Sequence, residues 1–233
     1  MQGDQKEMEG EEEMKKYISI DDFIKEYEQS PESYNMLVPV QSIQEIPMIY
    51  KPIINLVLLS TDLKEGHIYE QKNAGPEYKG TRYSITRRGL LLIAAAADCH
   101  LLDTQTSYDA EQKAYTSVAK IKVHDPSGGW RVYSASKTSA AEKSTRKGTT
   151  YRDDYAAEKA ESGAQNRAIR AAFNIKGHYS IEELEMPFVA IYPILNDAEP
   201  DVREALIKGA VMGSNLLFGS ANKAKELGKG AEE

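Results

Sequence analysis

Arg167 and Arg170 stand three residues apart, with Lys159, Gly163 and Asn166 on the same helical arc. Two planar guanidiniums, an ammonium and an amide beside a bare glycine backbone suit phosphate oxygens. A solvated face on a surface helix would read the same way. Further basic residues precede this helix. Lys79, Arg82, Arg87 and Arg88 come first, then Lys120, Lys122, Arg131 and Lys137. Lys143, Arg146 and Lys147 follow in a polar stretch, with Arg152 after them, and Tyr83, Tyr133, Tyr151 and Tyr155 are interleaved. Cations along a groove with aromatic platforms hold single-stranded nucleic acid without reading its sequence.

Bond-making chemistry is poorly supported. His67, His100, His124 and His178 are scattered, and none has a second histidine or a cysteine four residues away. Asp98, Cys99, His100 and Asp103 could gather at a helix-to-strand corner, and a structural corner explains them as well. Gly128-Gly129-Trp130 reads as a turn, and neither a Gly-x4-Gly-Lys-Ser/Thr nor a Gly-x-Gly-x-x-Gly run occurs. Asp153 and Asp154 are read as favouring the dipole of the helix that follows. No catalytic residue, metal or cofactor is therefore expected. One alternative is a metal-dependent nuclease or other small enzyme using Asp98, Asp103 and Asp153. A third reading is an acidic interaction protein whose basic middle binds another protein.

The long helix is expected over residues 151–176. It is rich in alanine, the best helix former, and Ala157, Ala160, Ala164, Ala168 and Ala171 would form a narrow stripe able to sit close on a sheet. Before it, three strands are expected at 100–107, 114–124 and 130–137, the last two joined by the turn Asp125-Pro-Ser-Gly-Gly129. Lys120 and Lys122 alternate away from Ala119, Ile121 and Val123. Arg131, Tyr133 and Lys137 alternate away from Trp130 and Val132. The hairpin is read as having one apolar side, with the lysines, arginine and tyrosine together on the other. Residues 138–150 read as a loop.

Thr86 is expected to cap a buried helix over 87–98, with Arg87 and Arg88 showing at its first turn. Residues 53–59 and 67–69 suggest a hairpin, and 83–85 a short strand. Ser19 or Asp21 would cap a short helix over 22–29, and three prolines break up 34–52. Gly177 would stop the long helix. Ser180 with Glu183 has capping-box spacing, 188–194 is extended, and a last helix runs 202–218.

The fold class is α+β: a three- to four-stranded antiparallel sheet with a long helix packed on it, a β-β-β-α core, plus terminal helical extensions. The expected parts are an acidic disordered tail (1–16), an N-terminal helix and arm (17–60), a nucleic-acid-binding core (61–176), a helical extension (177–218) and a frayed tail (219–233).

The chain of 233 residues carries a net charge of −7, unevenly spread. Residues 1–78 hold 7 Lys/Arg against 16 Asp/Glu, residues 79–176 hold 17 against 10, and residues 177–233 hold 5 against 10. A basic middle between acidic ends allows a local polyanion site on an acidic protein. No apolar run reaches membrane-spanning length. A single cysteine, Cys99, excludes a disulfide framework and makes a reducing cytoplasm the natural setting.

The order helix, three antiparallel strands, long helix resembles the core of the single-strand annealing proteins, over about residues 81–176. These are the phage recombinases of the RecT and Red-beta type and the eukaryotic Rad fifty-two group. The likeness is carried by the Asp-Pro-Ser-Gly-Gly-Trp hairpin at 125–130 and the helix Glu158–Phe173. Family members show E-x-x-A-x-x-x-A-x-K-R-A-L-R-x-F in that helix. Here Asn166-Arg167-Ala168-Ile169-Arg170 stands where Lys-Arg-Ala-Leu-Arg would, and Phe173 comes one residue late. The resemblance implies that Arg167 and Arg170 face a DNA groove, with a weaker contact at Asn166, where the lysine is replaced. It further implies ATP-independent annealing of complementary single strands in phage-type recombination. Assembly as a homo-oligomer, a ring or a helical filament, is implied too. A host single-strand-binding protein or an exonuclease is a candidate partner, and a bacterial host cytoplasm the implied location for a phage protein.

Overall fold

A computed structural model describes residues 20–37, 46–47, 49–71, 80–144 and 148–208. The expected tail 1–16, the Ser19 cap, the loop residues 72–79, Arg146, Lys147 and residues 209–233 lie outside them. In chain order come α1 (Ile20–Gln29), a 3-10 turn (Pro31–Ser33), β1 (Asn35–Met36), β2 (Tyr50–Val57), a second 3-10 turn (Leu63–Glu65), β3 (Ile68–Gln71) and β4 (Arg82–Ile85). Next are α2 (Arg87–Ala96), β5 (His100–Asp109), β6 (Ala114–His124), β7 (Trp130–Ala140), β8 (Glu142–Ser144) and β9 (Thr150–Arg152). Then follow α3 (Ala156–Phe173), α4 (Ile181–Glu185) and β10 (Phe188–Leu195).

The chain divides into two compact units, residues 1–47 with 52–194 and residues 48–51 with 195–233. In the smaller unit the Asn196 amide donates to the Ile49 carbonyl at 2.9 Å. A helix covers residues 200–208, begun by Pro200 and carrying a Glu204–Lys208 ion pair at 2.6 Å.

The larger unit is built on the antiparallel meander β5-β6-β7, so the α+β class with a β-β-β-α core holds. The Asp125–Gly129 turn closes by two backbone hydrogen bonds, and Gly128 takes a φ of 84° that a side chain would resist. α3 lies across β6 and β7. Ala156, Ala160, Ala164, Ala168 and Ala172 are all fully buried, and Ser117, Ala119 and Ile121 of β6, the strand beneath, are buried too. Small side chains on both layers bring the helix axis close to the sheet. The expected stripe holds at Ala160, Ala164 and Ala168 and differs at its ends, where Ala156 is buried instead of Ala157 and Ala172 instead of the exposed Ala171. α3 also begins later than expected, because residues 150–152 pair as β9 with β8. It ends at Asn174, which takes the left-handed conformation, rather than at Gly177.

α2 starts on the Thr86 cap as expected and buries Leu90 and Ile93. The hairpin expected from residues 53–59 is not formed. β2 borders β10 in a separate sheet of order β1-β10-β2, in which β1 and β10 run parallel, whereas β3 pairs with β4. Mutual Tyr83–Tyr179 backbone bonds at 2.9 Å tie β4 to the segment after α3. The Ser180–Glu183 capping box starts α4. Phe23 of α1 packs with Ile54, Val189 and Ile191, so the N-terminal helix closes that second sheet.

Candidate nucleic-acid interface

The meander has two faces, and register decides what each carries. Ile121 pairs with Tyr133, Val123 with Arg131, Ala119 with Ala135 and Ser117 with Lys137. Paired residues share a face. Arg131, Tyr133 and Lys137 therefore lie on the side covered by α3, with the apolar residues of β6. Lys120 and Lys122 lie on the other side, paired with Ser134 and Val132. The single cationic face expected for the hairpin is corrected to two faces. The reason is loop length: five residues separate His124 from Trp130, and a loop of odd length pairs even positions with even.

Along the edge strand β7, successive turns of α3 present a row of cations. At its start Asp153, a carboxylate whose side chain is 5% exposed, receives both the Lys143 and the Lys159 ammonium. The Tyr155 amide adds a third donor at 3.2 Å. The lysine hydrogen bonds hold the Asp153 carboxyl down at about pKa 2. This pair ties the β8–β9 hairpin to the first turn of α3, so Lys143 and Lys159 are organised around a carboxylate instead of standing alone. One turn on, the Lys137 stem lies over Gly163. A Cβ at that glycine would come 2.8 Å from the Lys137 Cγ. Arg167 follows, exposed, with its Nη1 2.8 Å from the Ser136 carbonyl. Among the described residues no ion pair is formed by Lys137 or Arg167. Asn166 beside them has a buried Oδ1 without a hydrogen-bond partner.

Arg170 is placed differently from the expectation. It is half-buried, and its two terminal nitrogens bind the Ile85 carbonyl at 2.6 Å and the Lys176 carbonyl at 2.8 Å. Burial pulls its pKa below the usual arginine value. It fastens α3 to β4 and to the helix C-terminus. Arg87 and Arg88 are also engaged: Arg87 with Gln165 at 2.7 Å and Arg88 with the Glu65 carbonyl at 2.8 Å. Those contacts explain why cations sit at the start of α2, a position the helix dipole disfavours. Arg131 pairs with Asp125 at the turn, which holds it protonated above the ordinary range. Arg152 is exposed beside Asp154 at 3.8 Å. Tyr133 is half-buried against the core.

Sequence reasoning missed Gln165 and underrated Asp153. Gln165 is buried and joins Arg87, Thr104 and Glu161. Its place directly after Ala164, on the edge of the buried alanine stripe, was the available signal. Asp153 was legible only as a helix-start acid, because its lysines come from ten residues before and six after.

The acids named for a nuclease take separate partners. Asp98 binds His124 at 2.7 Å and His100 at 3.1 Å, and Asp103 accepts from Gln105 at 2.8 Å. Among the described residues no three His, Cys, Asp or Glu side chains converge as a metal set. Cys99 is half-buried, and burial pushes its thiol up to about pKa 11. No helix among the described residues is long and apolar enough to cross a membrane. No protein-family model matches the chain, and none of the curated proteins matches it either.

Proposed function

We propose that the protein binds single-stranded DNA along the α3–β7 edge and anneals complementary strands without ATP, in phage-type homologous recombination. One observation carries this reading. Lys143 with Lys159, then Lys137, then Arg167 follow one another along α3 at about one helical turn each, roughly 5.4 Å. Among the described residues only the first step of that row is opposed by a carboxylate. Such a row can screen a phosphate backbone while leaving its bases exposed to a second strand. Pairing energy then drives the reaction, and the protein contributes alignment and charge neutralisation. Assembly as a homo-oligomeric ring or filament, action in a cytoplasm, and a single-strand-binding protein or exonuclease as partner belong to the same reading.

The test is binding of a labelled single-stranded oligonucleotide in chelator across a salt series. Wild type is compared with Lys137→Ala/Arg167→Ala. Each phosphate neutralised on a single strand contributes about 0.7 to the slope of log K against log salt. The double variant is expected to lower the slope by about 1.4 and to keep the wild-type melting temperature within a few degrees. Equal slopes for the two proteins would move the site elsewhere.

A further inference from the structure

Among the described residues the side of the meander away from α3 is largely exposed, apart from His124 beneath Tyr192, and it carries a second arrangement. Trp130 is the chain's one tryptophan, and it is 42% exposed at the start of β7. It ends a column of three rings. Tyr192 stacks on His124 with centroids 5.1 Å apart and planes 19° apart, and His124 lies 4.0 Å from Trp130 at 33°. His100 meets the indole edge-on at 5.3 Å. Both histidines bond the Asp98 carboxylate through Nε2, which fixes their rings. The Lys122 ammonium sits 4.0 Å from the indole centroid. Lys120 is two positions along the same strand and the same face, and neither lysine forms an ion pair among the described residues. Val132, paired with Lys122, is 59% exposed. A part-exposed aromatic ring backed by a fixed imidazole, with one displaceable ammonium over it and a second on the same sheet face, fits a nucleobase and its phosphates.

We propose that Trp130 is a stacking platform for an unpaired base of single-stranded nucleic acid, with Lys122 and Lys120 taking the neighbouring phosphates. This deepens the proposed function and rests on it. The occupant follows from which charges are free: the two carboxylates of the patch are engaged, Asp98 with His100 and His124 and Asp103 with Gln105, whereas neither lysine has a carboxylate partner among the described residues. Among the described residues its exposed large apolar side chains are Trp130, Val132 and Val118, with Leu102 at the β5 bulge, too few for the roughly 800 Å² per partner that a standard protein interface covers. Lys122 would leave the indole for a phosphate as the base arrives.

Because Trp130 is the only tryptophan, its emission reports on this site alone. The full-length protein is titrated with an oligothymidylate in chelator, and anisotropy of a labelled copy is followed in parallel. Indole quenching that saturates with the anisotropy supports the proposal. Trp130→Ala is expected to weaken binding about 5- to 150-fold, the equivalent of about 1–3 kcal/mol per stacked base, and Trp130→Phe to recover most of it. Circular dichroism checks that each variant folds. Anisotropy showing binding with unchanged indole emission and a Trp130→Ala affinity within twofold overturns this site and leaves the α3–β7 reading standing. Quenching by inorganic polyphosphate equal to that by the oligonucleotide also overturns it, since no base would be needed. Absence of any anisotropy change in the wild type at low salt sinks both.

Discussion

Replacing Arg170 separates a structural cation from a binding one. In Arg170→Ala two carbonyls lose a charged donor: Ile85, whose residue is buried, and Lys176, which is exposed. Hydrogen bonds to charged groups contribute about 1.5–3 kcal/mol each. Water replaces the donor at the exposed Lys176 carbonyl, and nothing replaces it at Ile85, so the loss is about 2–4 kcal/mol. For a chain of this length 1 kcal/mol shifts the melting temperature by about 2–4 °C, so thermal unfolding is expected to move down by roughly 5–15 °C. Arg170→Lys recovers only part of this, since one ammonium cannot span both carbonyls in the arginine geometry. Single-stranded DNA affinity, measured well below the transition, is expected to stay within about twofold of wild type. Arg167→Ala should show the opposite pattern, with little change in melting and weakened binding. An Arg170→Ala protein that melts within about 2 °C of wild type yet loses as much DNA affinity as Arg167→Ala would refute the assignment.

Three further outcomes follow from the packing and charges of α3. Ala168→Leu inserts three carbons into a fully buried site and should cost about 1–3 kcal/mol in denaturant unfolding, whereas Ala171→Leu on the exposed side should stay within about 0.5 kcal/mol. Gly163→Ala gains up to about 1 kcal/mol of helix propensity but must push aside the Lys137 stem 2.8 Å from the new Cβ, so melting should change little while DNA affinity falls. The Asp153 carboxyl, held at about pKa 2 against an ordinary 3.8, stabilises the fold above about pH 4, and that contribution is lost as pH falls through 2. The stability gap between wild type and Asp153→Asn should therefore be constant near neutral pH and close between about pH 4 and pH 2 in thermal melts.

Local signals in the chain specify their elements, and long-range pairings leave no such signal. The strand at residues 114–124, the Asp125–Gly129 turn, the Thr86 cap and the Ser180–Glu183 capping box all rest on residues close in sequence, and each is found in place. The pairing of β2 with β10 joins segments more than a hundred residues apart, and no periodicity within either strand could name its partner. The sides of β7 were assigned by alternation within the strand. That alternation was right, but linking it to β6 required the parity of the turn. The role of Arg170 depends on carbonyls from β4 and from Lys176, so its helical arc alone could not separate it from Arg167. Seven cations read as a field around a groove turn out to be held by protein groups: Arg87, Arg88, Arg131, Lys143, Lys159, Arg152 and Arg170. Among the described residues, the cations of that field with no carboxylate beside them and most open to a polyanion are Lys137 and Arg167 on one face, where Lys143 and Lys159 extend the row from around Asp153, and Lys120 and Lys122 on the other.

The most direct measurement is the rate at which two complementary labelled single strands pair, in chelator and without nucleotide, with wild type beside Lys137→Ala/Arg167→Ala. The account predicts that wild type speeds pairing well above the rate in buffer and that the double variant loses most of the gain while remaining folded. Pairing no faster with wild type than in buffer, over a range of protein concentrations at low salt, would contradict it.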